Sequence, residues 1–236
     1  MKAICVISAR AGSKGVKSKN ILNFFSKPLI AWSIIQAIKS KKFLGVFVST
    51  DSKKIAQISK RYGAQVTFIR SKKLSGNYVP KFFVWKDALK RIENYLNTKV
   101  DYFVDLDCTN PLRSINDIGK ALNLLARNKN TDAVISTCES KKNPYMNMVE
   151  KKGGLLKISK ISKNKKVPVS RQLAPKVYDV VANIYCLRRK FLKEKKAIFE
   201  GKIKGYEMDR FKSLDIDSQE DLEIVTHLFK TKILKK

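Results

Sequence analysis

Lys2-Ala3-Ile4-Cys5-Val6-Ile7-Ser8 runs straight into Ala9-Arg10-Ala11-Gly12-Ser13-Lys14-Gly15-Val16-Lys17-Ser18-Lys19-Asn20. Seven residues rich in β-branched and apolar types read as a buried first strand, and the glycine- and lysine-rich stretch after them reads as a loop. Gly12 and Gly15 let backbone N–H groups come close to a ligand, and Arg10, Lys14 and Lys19 add cations, so the loop suits an anion. In open α/β sheets ligands bind beyond the carboxyl ends of the strands, which is where this loop falls. It fits neither G-x-x-x-x-G-K-[ST] nor G-x-G-x-x-G.

Outward from this loop, apolar runs alternate with helical periodicity. Pro28 to Lys39 is a helix, Leu44 to Ser49 a strand, and Asp51 or Ser52 caps a helix that stops at Gly63. Gln65 to Ile69 is read as a third strand, Pro80 to Leu96 as a long amphipathic helix and Val100 to Leu106 as a fourth strand. A helix over Ile115 to Ala126 and a strand over Asp132 to Thr137 follow. The rhythm breaks over 139–179, where prolines, Gly153-Gly154 and short alternating stretches predict a β-hairpin arm. Val180 to Leu187 and Leu214 to Asp217 are read as strands, and Ser218 to Phe229 as a closing helix. This is an α/β pattern: one domain over 1–236, Rossmann-like, its mainly parallel sheet flanked by helices and carrying a hairpin insertion.

Leu214-Asp215-Ile216-Asp217 carries the second concentration of chemistry. Residues two apart in an extended chain share a side, so Asp215 and Asp217 present two carboxylates together while Ile216 packs behind. Two hard oxygen donors completed by substrate phosphates are the usual protein share of a magnesium site. A helix N-cap explains Asp217 or Ser218 but leaves Asp215 without a role.

The run ISARAGSKGVKSKNI, followed by Lys27-Pro28-Leu29-Ile30-Ala31-Trp32-Ser33-Ile34, resembles the opening of the acylneuraminate (CMP-sialic acid type) cytidylyltransferases, whose pattern is A-R-x-G-S-K-x-x-x-x-K-N and then G-K-P-L-I-A-W-S-I. Ser26 stands where the family has glycine. The resemblance extends through Val48-Ser49-Thr50-Asp51, Phe68-Ile69-Arg70, Leu106-Asp107-Cys108-Thr109-Asn110-Pro111-Leu112-Arg113, Asn183-Ile184-Tyr185 and the Asp215-Ile216-Asp217 motif. It implies transfer of CMP from CTP to an acidic sugar of nine or eight carbons, with Mg2+ as cofactor, release of pyrophosphate, and a homodimer. Arg10 and Lys19 would hold the triphosphate, Ala9, Gly12, Ser13 and Lys14 would shape the loop, and Asn20 and Arg70 would lie near the nucleoside. Thr109, Arg113 and Asn183, with Arg171 and Gln172 from the arm, would meet the sugar. Asp107 replaces a glutamine of the family pattern; it can accept from the cytosine amino group or turn toward a metal ion. Ser71 and Asn77 also depart from the pattern, which leaves open a nucleotidyltransferase of the same fold with another base or acceptor.

Bulk properties narrow the alternatives. A net charge of +30 suggests a nucleic-acid binder. The basic residues are nevertheless spread along the chain without an aromatic-basic RNA motif, and a carboxylate pair in the cleft opposes a polyanion. No apolar run approaches the ~20 residues of a membrane span, and the N-terminus lacks the pattern of a signal peptide, so a cytoplasmic protein is expected. Cys5, Cys108, Cys138 and Cys186 show no pairing or metal-ligand spacing and are expected as buried thiols. The single histidine, His227, is expected as a surface or packing residue.

Overall fold

The computed structural model describes residues 1–13, 15–161 and 167–234; Lys14 lies outside them. The elements in chain order begin with strand β1 (Ala3–Ser8), the short hairpin β2 (Asn23–Phe24) and β3 (Lys27–Pro28), and helix α1 (Leu29–Lys39). Then come β4 (Val46–Ser49), α2 (Lys53–Arg61), α3 (Lys81–Leu96), β5 (Tyr102–Leu106), α4 (Ile115–Arg127) and β6 (Ala133–Glu139). The second half holds β7 (Val149–Lys152), β8 (Leu155–Ile158), β9 (Tyr178–Arg188), α5 (Arg189–Glu194), β10 (Ile203–Glu207) and α6 (Gln219–Leu228).

The main sheet has the order β10-β6-β9-β5-β1-β4. β1 runs parallel to β4 and β5, and β10 parallel to β6; β9 is antiparallel to both its neighbours. The apolar run of β1 follows from burial on both faces. Ala3, Cys5 and Ile7 pack with Ile30 and Ile34 of α1 and with Ile118 and Leu122 of α4. Ile4 and Val6 point the other way, toward Phe82, Trp85 and Leu89 of α3 and Phe191 of α5. All four cysteines are buried and free.

A third cluster lies outside the sheet and matters most for function. Val16 from the first loop, Phe24, Leu29 and Leu112 meet Ile216, Val225 and Phe229 from the carboxyl end. The Phe229 ring lies 5.0 Å from Phe24, 5.1 Å from Phe25 and 4.6 Å from Trp32. Each fully buried aromatic of this kind contributes ~1.5–3 kcal/mol, which secures the last helix against the first loop. The β2–β3 turn places Phe25 and Ser26 at φ 48° and 65°. Glycine adopts that left-handed region most readily, so the serine at this turn is a local strain.

Two expected strands are corrected. Gln65–Ile69 forms no strand: only Gln65 bridges Phe47. The backbone bonds Val48 N to Gln65 O and Arg70 N to Thr50 O set two residues of advance on one side against five on the other, so the segment must bow away from the edge. Leu214–Asp217 is extended but joins no sheet. One hydrogen bond, Ile216 N to Thr109 O at 3.0 Å, docks it beside the end of β5. β10 and α5 were not anticipated: Ile203-Lys204-Gly205-Tyr206-Glu207 has no apolar run, and Gly205 is needed because a Cβ there would come within 2.8 Å of Thr137 Oγ1. The hairpin arm is present as β7 and β8, paired antiparallel around Gly153 and Gly154.

Candidate active site

The first loop is held at the carboxyl ends of the parallel strands by bonds that its sequence supplies. Ala9, buried, donates its N–H to Ser49 O at 3.0 Å, and Ala11 N–H reaches Asp51 Oδ1 at 2.8 Å. Asn20, buried beneath the loop, donates to Arg10 O at 2.9 Å, and its carbonyl accepts from the Cys108 thiol at 2.9 Å. Burial pushes the Cys108 thiol up to about 12, so it serves as a packing donor and offers no nucleophile. Arg10 Nη1 donates to Asn77 Oδ1 at 2.8 Å.

Lys19 crosses from this loop to the carboxyl-terminal acids. Its Nζ lies 2.6 Å from Asp217 Oδ1 and 2.5 Å from Ile216 O. A cavity of about 350 Å³ opens between the two groups; its walls include Arg10, Gly12, Ser13, Lys19 and Asn20 on one side and Asp107, Thr109 and Asp217 on the other. The residues quoted from the two ends of the chain therefore meet around one space.

Alternation along the docked segment orders its acids as the pattern requires. Ile216 is fully buried, Asp215 half-buried and the Asp217 side chain 73% exposed. Burial pushes the Asp215 carboxyl up to about 6, with the Asp217 and Asp107 charges adding to it. Because its folded value is raised, an ionised Asp215 costs the folded protein stability above about pH 6, and a cation beside it would relieve that cost. Among the described residues no group of three or more His, Cys, Asp or Glu is placed to hold a metal by protein ligands alone. Two hard carboxylates that share, among the described residues, a single ammonium, that of Lys19, keep a net negative charge and fit Mg2+, which takes one or two carboxylates and completes its shell with phosphates and water.

Gly15 explains how closely the two loops approach. A Cβ built on it would lie 1.8 Å from Asp217 O, backbone against backbone. Gly15→Ala is expected to push the loop off the acids and lower catalytic efficiency by about 100-fold, as misplacement of about 1 Å does elsewhere. Steady-state kinetics on the folded variant check this, and a change below threefold would show that the approach is not required.

Sequence reasoning missed Lys81 and Asp105. Lys81 Nζ lies 2.7 Å from Asp105 Oδ2 and 2.8 Å from Asp107 Oδ2, so a half-buried ammonium joins a buried acid to one that lines the cavity. Burial draws the Lys81 ammonium down, but the two carboxylates more than reverse this and hold it firmly charged. Burial also raises Asp107, yet Lys81 and Thr109 together keep it below its ordinary value; in fully buried Asp105 the burial effect wins and the carboxyl is raised. One signal was available: Lys81 opens α3 directly after Pro80 with no acid in the first turn. A cation there opposes the helix dipole and so needs outside partners.

Several expected contact residues lie elsewhere. Arg113 is 1% exposed, and its guanidinium donates to Asn183 Oδ1 at 2.8 Å, to Asp107 O at 2.7 Å and to Ser33 Oγ. Burial lowers it to about 10. Asn183 is fully buried and donates to Lys212 O at 3.0 Å, so both residues brace the cavity wall from behind and neither faces a ligand here. Arg70 is buried, with Nε 3.2 Å from Ser75 Oγ. Arg171 and Gln172 sit exposed on a turn by the arm, where Arg171 Nη2 binds Lys141 O at 2.5 Å, outside the cavity.

Comparison with known proteins places this geometry in a lineage. The chain is 42% identical over 233 residues to the post-translational flagellin modification protein B of Campylobacter coli, covering 98% of this chain and 97% of that one. It is 41% identical to the CMP-N,N'-diacetyllegionaminic acid synthase of Campylobacter jejuni, covering 98% and 96%. A solved CMP:2-keto-3-deoxy-manno-octonic acid synthetase, complexed with CTP, shares the fold with a TM-score of 0.72 at 16% identity, over 99% of this chain and 100% of that one. The sequence model of the cytidylyltransferases matches residues 4–236, and the chain belongs to that family.

Proposed function

We propose that the protein transfers the cytidylyl group of CTP to the anomeric hydroxyl of an acidic, nonulosonic-type sugar and releases pyrophosphate. The observation that carries this is the meeting of Lys19 with Asp217 at 2.6 Å on the wall of one cavity, cations on one side and carboxylates on the other. The synthase of C. jejuni, named for CMP-diacetyllegionaminic acid, supports a sugar of this class.

In this reading the N–H groups around Gly12 and Ser13, with Arg10 and Lys19, bind the triphosphate and neutralise the departing pyrophosphate. Asn20 and its bond to Arg10 O keep the loop in shape for that task. Asp107, and Arg70 from behind, border the nucleoside, while Thr109 faces the acceptor. Arg113 and Asn183 fix the wall that carries Asp107. Asp215 and Asp217 would hold Mg2+, which supplies charge neutralisation at the α-phosphate and acidifies the attacking hydroxyl when bound. The remaining catalysis is alignment for in-line displacement, and no covalent intermediate is required.

The apolar residues of the arm, Leu155, Leu156, Val169 and Leu173, are exposed among the described residues. They support a homodimer whose arm carries Arg171 and Gln172 to the neighbouring site. Four free thiols suit a reducing, cytoplasmic setting.

Pyrophosphate release should require CTP, an acidic sugar and Mg2+ together when the four nucleoside triphosphates are tried against a panel of ulosonic acids. Equal release with another triphosphate, or with a neutral acceptor, would assign the same fold to a different transfer.

A further inference from the structure

We propose that Lys81 is a positioning residue: it fixes Asp107 as a charged acceptor for an N–H or O–H group of the bound reactants. This rests on the reading that those reactants occupy the cavity between the first loop and the carboxyl-terminal acids.

Asp107 is clamped everywhere except on its cavity side. Its backbone carbonyl accepts from Ser33 Oγ at 3.0 Å and from Arg113 Nη2 at 2.7 Å. Its Oδ1 accepts from Thr109 N at 3.3 Å and Thr109 Oγ1 at 3.0 Å, and its Oδ2 accepts from Lys81 Nζ at 2.8 Å. A carboxylate oxygen has two lone-pair directions, so Oδ2 keeps one free. The side chain is 18% exposed and lines the cavity, whereas Asp105 is wholly buried. One ammonium thus serves two acids, and only one of the acids reaches the ligand space.

A carboxylate repels phosphate, so the group it suits is a donor. Within the reactants those donors are the exocyclic amino group of cytosine, the ribose hydroxyls of CTP and the hydroxyls of the sugar; only loss of the first narrows the preference for CTP over UTP. Without Lys81, Asp105 and Asp107 would face each other with no cation between their carboxylates, no farther apart than the sum of their two contacts to Nζ; Arg113 reaches only the Asp107 backbone carbonyl. They would turn apart or share a proton, and either response removes the acceptor. The surroundings of Lys81 fit this role: its Nζ sits 5.6 Å from the Trp85 ring and 5.4 Å from the Tyr185 ring, which confine it over the two acids.

The test is steady-state kinetics with CTP and the sugar varied separately, on Asp107→Ala, Lys81→Met and Lys81→Met/Asp105→Asn, with UTP as a second nucleotide. Asp107→Ala should raise the KM of one reactant by about 10-fold or more, the effect of losing a hydrogen bond to a charged group. Lys81→Met should raise the same KM by a similar factor with a smaller change in kcat. Asp105→Asn in that background removes the repulsion and should bring KM back to within about threefold of wild type, on the same scale of a neutral bond's worth. A rise in the CTP value with narrowed CTP-over-UTP preference identifies the amino group as the donor; a rise in the sugar value identifies a hydroxyl. Unchanged KM in Lys81→Met, or a rise that Asp105→Asn does not recover, overturns the proposal. Unchanged KM values in Asp107→Ala overturn the proposal as well, whereas wild-type protein that releases no pyrophosphate from CTP would overturn the reading of the cavity on which it stands. If Lys81→Met fails to fold, the double variant decides alone: wild-type KM without an ammonium on the Asp107 carboxylate supports the role, and a raised KM refutes it.

Discussion

Asp217→Ala is expected to cut turnover by about 10³-fold or more while the melting temperature moves by no more than about 3 °C. The two effects separate because the side chain is 73% exposed and its one ion pair among the described residues is with Lys19. An exposed pair contributes about 0–1 kcal/mol, and a chain of this size shifts by roughly 2–4 °C per kcal/mol. The loss in turnover follows from the proposed role of Asp217 as one of two carboxylates that would hold Mg2+. Magnesium-dependent pyrophosphate release and a thermal melt of the same preparation check both halves. Turnover within tenfold of wild type would remove Asp217 from the chemistry.

Arg113→Ala should destabilise the fold by about 3–5 kcal/mol, a fall of roughly 10 °C in melting temperature. Arg113 is 1% exposed and binds three separate acceptors around the end of β5. Its removal leaves Asn183 Oδ1 and Asp107 O without that donor and opens a cavity the size of the largest fully buried side chain. Arg113→Lys should lose nearly as much, because one ammonium cannot span acceptors placed for a planar fork. Denaturant unfolding measures this; a loss under about 1 kcal/mol would mean that the interior rearranges to satisfy the freed groups.

The parallel half of the sheet was legible because strands buried on both faces are apolar nearly throughout, as β1 is and as β5 is apart from Asp105. The extended run at Gln65–Ile69 has the same composition, but composition cannot tell a ladder from a segment that bows around an edge. β10 escaped for the opposite reason: an edge strand with one covered face needs few apolar residues, and its glycine is set by Thr137. At the site, Arg10, Lys19 and Asp217 could be read because their chemistry is clustered in sequence. The Lys81–Asp105–Asp107 cluster could not, since Lys81 lies on α3 while Asp105 lies on β5 and Asp107 just past its end, and only folding brings them together. Arg113 and Asn183 were read as ligand contacts because a polar residue in a motif looks the same whether it faces the cavity or supports the wall behind it.

The small aromatic cluster around Phe229 has a consequence for biosynthesis. A chain is made amino end first, so the first loop and every strand of the sheet are synthesised before Asp217 and the helix that seats it. The cavity wall that carries Asp217 can therefore close only after the rest of the framework exists, when the final helix clips onto aromatic partners made earlier in the same chain.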